Sequence, residues 1–216
     1  MQRYIAFLSG LPVGADAVSQ DTLRSLFTKL GFLGVETYGT SGNVAFETAP
    51  VGVTAALEAQ ISRHLKRSVD ADIWTFLRTS HELSRIADDM PFSDKAEDST
   101  VFVVLLSKDL DAATGRRIRA HRATSDQLHP NGREIYWLRP VAAASPPLAL
   151  SNLLESPATV RSLSTIKSLA EKYERPTRKL STTSTDKAPA ATTDKASAET
   201  TDQASPATTE SERSRR

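Results

Sequence analysis

The segment Ile73-Trp74-Thr75-Phe76-Leu77-Arg78 decides the fold. It is short and rich in β-branched and aromatic residues, so it reads as a strand. Side chains alternate along a strand, which puts Ile73 and Leu77 on one face and Trp74 and Phe76 on the other. Both sets are apolar. A sheet with one wet face alternates apolar and polar residues, so this strand belongs to a sheet covered on both sides. Tyr4 to Leu8 shows the same pattern. The sheet's own helices can cover one side. The rest of the chain, a second copy of the chain, or a nucleic acid are the candidates for the other.

The neighbouring segments give the order of elements. Gly10 ends the first strand, and Gly10 to Gly14 form a loop. Ser19 is a good N-cap for a helix carrying Leu23, Leu26, Phe27 and Leu30, with Gly31 as its stop. Val35–Tyr38 and Val44–Phe46 are short strands around the hairpin-loop residues Gly39-Thr40-Ser41-Gly42-Asn43. Val53, Leu57, Ile61 and Leu65 mark a second helix. With the strand at Ile73, the order is β-α-β-β-α-β, the ferredoxin-like arrangement.

Thr79 or Ser80 then caps a connecting helix, and the pattern restarts. Val101–Leu106 is a buried strand, and Asp109 or Asp111 opens a helix ending near Ala120. Strands are expected near Ser125–His129 and over Glu134–Leu138, with the turn Asn131-Gly132 between them. A short helix over Leu148–Glu155, a strand at Ala158–Arg161 and a closing helix through Leu163, Ile166 and Leu169 complete it. The expected fold is α+β: two ferredoxin-like halves plus a disordered C-terminal tail. The first half covers 1–79. The connecting helix, second half and closing helix cover 80–176, and the tail covers 177–216.

From Ser181 to Arg216 there is no Val, Ile, Leu, Met, Phe, Trp, Tyr or Gly. Thr, Ser and Ala dominate, in an eight-residue repeat seen at Thr192-Thr193-Asp194-Lys195-Ala196. Such a segment has nothing to bury against a backbone entropy of roughly 1–2 kcal/mol per residue.

Composition excludes several classes of chemistry. The 216 residues hold 27 Lys+Arg against 26 Asp+Glu and no Cys. Near-neutral charge forces no polyanion partner. Without Cys there is no disulfide frame, thiolate metal site or cysteine nucleophile. The longest strongly apolar run, Val101–Leu106, is far short of a membrane span. The start moves directly into a strand pattern, so no signal peptide is expected and a cytoplasmic location is.

The polar motifs each have a plain reading. Gly10-x-x-x-Gly14 lies where a phosphate cradle would, but its spacing is not that of a P-loop. The opening strand is similar to the first motif of an RNA recognition motif, yet Gly42–Phe46 lacks the basic residue of the third-strand motif. Arg116–Arg122 wraps its charge around a helix, as a solvated face does. His64, His81, His121 and His129 have no zincin spacing. Ser41-Gly42-Asn43 is the most distinctive polar triplet, and turn chemistry accounts for it.

One family resemblance joins these pieces. Tyr4–Gly10, Val13-Gly14, Leu23-Arg24-x-Leu26-Phe27, Leu30-Gly31-Phe32 and Thr37-Tyr38-x-x-Ser41-Gly42-Asn43-Val44-x-Phe46 resemble the bacterial family DUF1697. So do Arg78-Thr79 with Glu82-Leu83, Pro91-Phe92, Gly132–Tyr136, and Ala158-Thr159-x-Arg161. The resemblance runs over about residues 3–174. It implies two ferredoxin-like halves and brings no activity with it. Ser9 and Pro12 stand where the family usually has Arg and Asn. Arg161–Thr165 departs from its Arg-Asn-Trp-Asn-Thr. An activity tied to those positions is expected to be weakened, altered or lost here.

Two readings of function follow. One is a binding or interaction module for a small molecule or protein. The other is an enzyme acting on a small or phosphorylated ligand between the halves. The candidate ligand-binding residues are Ser41, Asn43, Arg78 and Arg161. No catalytic residue, cofactor or metal is assigned. A membrane partner is not expected, and a nucleic acid is the least favoured. A homodimer stays open.

Overall fold

A computed structural model describes residues 1–12, 17–92, 98–121, 125–141 and 153–173. The tail expected beyond residue 176, Gly14, and most of the helix expected at Leu148–Glu155 lie outside the described residues. Leu153 to Glu155, the described end of that segment, are not helical.

Two four-stranded antiparallel sheets and five helices make a mixed α/β fold among these residues. The first sheet holds β1 (Gln2–Ser9), β2 (Leu33–Tyr38), β3 (Asn43–Thr48) and β4 (Trp74–Thr79), in the order β2-β3-β1-β4. The second holds β5 (Ser99–Leu105), β6 (Gln127–Asn131), β7 (Glu134–Pro140) and β8 (Thr159–Ser162), in the order β6-β7-β5-β8. Helices α1 (Gln20–Lys29) and α2 (Thr54–Val69) connect strands of the first sheet. Helix α3 (Ser80–Asp88) follows it, α4 (Ala112–Ala120) lies between β5 and β6, and α5 (Leu163–Tyr173) follows β8.

The helix starts follow the capping chemistry of the sequence. The Ser19 side chain accepts from the Thr22 amide, and Asp111, rather than Asp109, accepts from Ala113 and Thr114. Thr79 and Glu82 form a reciprocal capping box at α3. Each cap satisfies amides that a helix leaves without intrahelical partners.

The doubly apolar strands are explained by two cores. On one face of the first sheet, Tyr4, Ala6, Leu8, Phe46 and Leu77 pack with Leu26, Phe27, Ile61 and Leu65 from α1 and α2. On the other face, Ile5, Phe7, Ala45 and Phe76 share a core with Val103, Leu105, Tyr136 and Leu138 of the second sheet. Leu83, Ile86, Ile166 and Leu169 of α3 and α5 belong to the same core. The second half of the chain is therefore what covers the first sheet. Trp74 is the exception. It was expected to share Phe76's covered face but is 51% exposed, because it begins β4 opposite Ser9, at the last residue of β1.

The two sheets repeat one register. In the first, Ile5 of the central β1 is paired with Ala45 on one side and Arg78 on the other. In the second, Val103 of β5 is paired with Tyr136 and Arg161. Phe7 opposite Asn43 corresponds to Leu105 opposite Glu134. The correspondence runs on into the following helices. Leu83, Ile86 and Ala87 after Arg78 match Ile166, Leu169 and Ala170 after Arg161, and all six lie in the shared core. Arg78 and Arg161 thus occupy equivalent places in the two halves.

Candidate functional site

Arg161 is the only charged residue lining a cavity of about 600 Å³ among the described residues. The cavity lies between the β1–α1 connection, the β2–β3 hairpin and β8. Arg161 is 8% exposed, and its guanidinium uses every N–H. Nε donates to Asn43 Oδ1 at 2.7 Å. Nη1 donates to Thr159 Oγ1 and the Val160 carbonyl, each at 2.7 Å. Nη2 donates to the carbonyls of Leu8 at 2.8 Å and Ser41 at 2.6 Å. The Phe7 ring lies 5.8 Å from its central carbon.

All five acceptors are neutral. No carboxylate stands beside Arg161 among the described residues, and burial alone pushes its pKa down to about 10. The side chain stays cationic at neutral pH. Its hydrogen bonds are satisfied, but among the described residues its charge has no counter-charge, an arrangement that carries a desolvation penalty. The described lining of the cavity carries this one positive charge and no negative one.

Arg78 shows the alternative. It is fully buried and donates to the Leu106 carbonyl at 3.0 Å, the Arg133 carbonyl at 2.9 Å and the Leu77 carbonyl at 2.7 Å. Its Nε also donates to Glu134 Oε1 at 2.6 Å, so its charge is paired. Burial lowers the Arg78 pKa and the Glu134 charge opposes that shift. Each arginine reaches from one sheet into the other and hydrogen-bonds a carbonyl at the end of its central strand, Leu8 within β1 for Arg161 and Leu106 just past β5 for Arg78.

The four candidates from the sequence therefore divide. Ser41, Asn43 and Arg161 come together at the cavity. Arg78 does not line it and makes the equivalent reach from β4 into the second sheet. Asn43 is buried and held by two bonds, since its Nδ2 also donates to the Tyr38 carbonyl at 3.1 Å. Ser41 contributes its carbonyl to Arg161 and leaves its side chain exposed.

Sequence reasoning missed the rest of the rim. Gln20 bridges the start of α1 to the hairpin, donating to the Gly39 carbonyl and accepting from Thr37, both at 3.1 Å. Ser9, Ser19 and Thr40 add hydroxyls, while Leu11, Pro12, Val18 and Leu23 supply an apolar wall. Gly42 has φ +72°, and a Cβ there would stand 2.4 Å from Leu11. Gly10 has φ +80°, and a Cβ there would stand 2.1 Å from the Asp72 carbonyl oxygen. Close backbone approach accounts for Gly10 without a phosphate.

The other polar motifs have structural roles. Arg117 donates to the Leu153 carbonyl at 2.9 Å, and Arg119 contacts the Pro130 carbonyl at 3.4 Å, so two of the α4 arginines fasten their helix. No group of three or more His, Cys, Asp or Glu is placed to hold a metal among the described residues. No helix among them is long and apolar enough to cross a membrane.

Comparison with known proteins agrees with this architecture. A family model described as "Protein of unknown function (DUF1697)" matches residues 1–136. The solved structure of the conserved bacterial protein SP0830 from Streptococcus pneumoniae is similar, with a TM-score of 0.59 and 19% identity. The match covers 81% of this chain and 99% of that one, and at this identity it speaks for the fold alone. No curated protein matches the chain.

Proposed function

We propose, for a chain that belongs to the DUF1697 family of proteins of unknown function, that it is a binding module for a small organic anion. The ligand would sit in the Arg161 cavity, between two halves that we read as ferredoxin-like from their β2-β3-β1-β4 and β6-β7-β5-β8 strand orders. The cytoplasmic setting expected from the sequence belongs to this reading.

The observation that carries it is the buried charge of Arg161 at the cavity wall, uncompensated among the described residues. A cation with only neutral partners gains most from an anion brought close to it. Because all five N–H groups are engaged, the ligand is attracted by the field rather than gripped by the guanidinium. Its polar contacts would be the rim hydroxyls of Ser9, Thr40 and Ser41. One recessed charge beside an apolar wall favours a monoanion with an apolar body over a polyphosphate, which needs several donors. The described lining holds hydroxyls and amides but no carboxylate or imidazole to move a proton, so binding is favoured over turnover. A nucleic acid is disfavoured because Phe7 and Phe76, on the sheet face such a ligand would stack on, are buried between the two sheets.

Calorimetric titration with benzoate and its neutral analogue benzamide tests the reading. Benzoate is expected to bind at least about tenfold more tightly, a difference of about 1.4 kcal/mol. Arg161→Gln is expected to erase that preference. Equal affinity of the wild-type protein for the two probes would overturn the reading, whether or not the variant folds.

A further inference from the structure

The place equivalent to the anion cavity in the other half is also hollow, and its chemistry is reversed. A cavity of about 490 Å³ opens there. Leu106 to Leu110 line it as Leu8 to Pro12 line the first, and Asp111, the cap of α4, lines it as Ser19, the cap of α1, lines the other. The arginine that reaches into this half, Arg78 of β4, is paired with Glu134 and supplies no free positive charge. The lining instead carries Asp109, Asp111 and Glu155 against a single Lys108.

The wall holds Trp74, the large aromatic side chain left 51% exposed. A tryptophan at the start of a strand could have been buried with Phe76. Here it is exposed and lines a hollow together with Leu110, Leu154 and Pro157. An exposed indole beside a net negative lining is complementary to a cation carried on a flat or apolar body. The ring quadrupole attracts the cation, the carboxylates add to that attraction, and the apolar residues take the body.

We propose that this cavity is a second, independent site that binds a small organic cation against Trp74. It does not rest on the anion reading, since it shares no lining residue with the first cavity.

The test uses benzamidinium, benzamide and benzoate, which keep one ring and change its charge. The protein has two tryptophans, and Trp137 is buried at 5% exposure, so a ligand in this cavity alters the emission of Trp74. Benzamidinium is expected to change the emission saturably and to bind at least about tenfold more tightly than benzamide. Trp74→Ala is expected to lose that binding by calorimetry, while Trp74→Phe, which keeps an aromatic face, retains most of it. Asp109→Asn with Glu155→Gln is expected to weaken benzamidinium and leave benzamide unchanged. No saturable benzamidinium binding up to about 10 mM, or equal affinity for the three probes, would overturn the proposal. Trp74→Ala binding benzamidinium as the wild type does would overturn it as well. Failure of the benzoate experiment on Arg161 leaves these outcomes untouched.

Discussion

Asn43 and Glu134 occupy the same place in the two sheets, and each accepts the Nε proton of the arginine that crosses from the other sheet. Glu134 brings a negative charge to Arg78, whereas Asn43 brings none to Arg161. One residue difference at an otherwise repeated joint decides which half carries a free buried cation. The joint holds the molecule together in both halves, and only the first leaves charge over for a ligand.

The Arg78 side of the joint is predicted to be the more sensitive to truncation. Arg78→Met removes the partner of Glu134 and the donor that Arg78 gives to the Leu77 and Leu106 carbonyls, while the Arg133 carbonyl keeps the Leu106 amide as a donor. Breaking a buried pair from one side is destabilising by about 3–5 kcal/mol. Urea unfolding should show the midpoint falling accordingly. A loss below about 1 kcal/mol would mean that the joint is not structural.

The glycines of the first cavity are predicted to differ in a fixed order. Gly10, Gly39 and Gly42 all have positive φ, which disfavours alanine by about 1–2 kcal/mol. Gly39→Ala meets nothing else within 4 Å. Gly42→Ala also meets Leu11 at 2.4 Å, a side chain whose end can move, and the Leu8 Cβ at 3.1 Å, which need give only slightly. Gly10→Ala meets the Asp72 backbone, which can give little. Thermal unfolding should rank Gly10→Ala as the most destabilised and Gly39→Ala as the least. A reversed order would contradict the packing described for the loop.

Glu58 gives a pH dependence. It is buried on α2, and its Oε1 accepts from the Leu77 amide at 2.8 Å. Burial raises its pKa above the usual carboxylate value, against opposing contributions from Leu77, Ser107, Arg78 and Arg133. A raised folded pKa means that the protonated form is favoured by folding. The resulting stability is present below the ordinary value of 4.5 and is lost as pH rises through the folded pKa. Glu58→Gln keeps a carbonyl for Leu77 and removes the titration. The melting temperature of the variant relative to wild type should rise between about pH 4 and pH 7. A difference that stays flat or falls over that range would contradict the account.

Much of the fold was legible locally. The apolar pairs Ile73/Leu77 and Trp74/Phe76 announced a sheet covered on both faces, and Ser19, the pair Thr79 or Ser80, and the pair Asp109 or Asp111 announced helix starts. The identity of the cover was not legible, because Phe76 meets Val103 and Leu138 only through long-range packing. Trp74 misled because alternation gives a face but not the place where the core ends. The strand expected near Ser125–His129 runs over Gln127–Asn131, and Pro130 fits within it because β6 is an edge strand.

The site was half legible. Ser41-Gly42-Asn43 stood out as a triplet, but its partner Arg161 lies 118 residues beyond Asn43 in the chain. The repeated register left a trace in Arg78-Thr79 with Leu83, Ile86 and Ala87 against Arg161-Ser162 with Ile166, Leu169 and Ala170. Only the arginine and one alanine are identical, so pairing and packing, rather than residue identity, reveal the correspondence.

The most direct test of the account is Asn43→Asp, which gives Arg161 the counter-charge that Glu134 gives Arg78. The exchange is nearly isosteric, and the new ion pair offsets the lost donation to the Tyr38 carbonyl, so the variant is expected to fold. Calorimetric titration of the folded variant with benzoate should show affinity lowered by at least about tenfold, with benzamide binding unchanged. Benzoate binding as tight as that of the wild type would contradict the claim that the unpaired charge of Arg161 makes the first cavity an anion site.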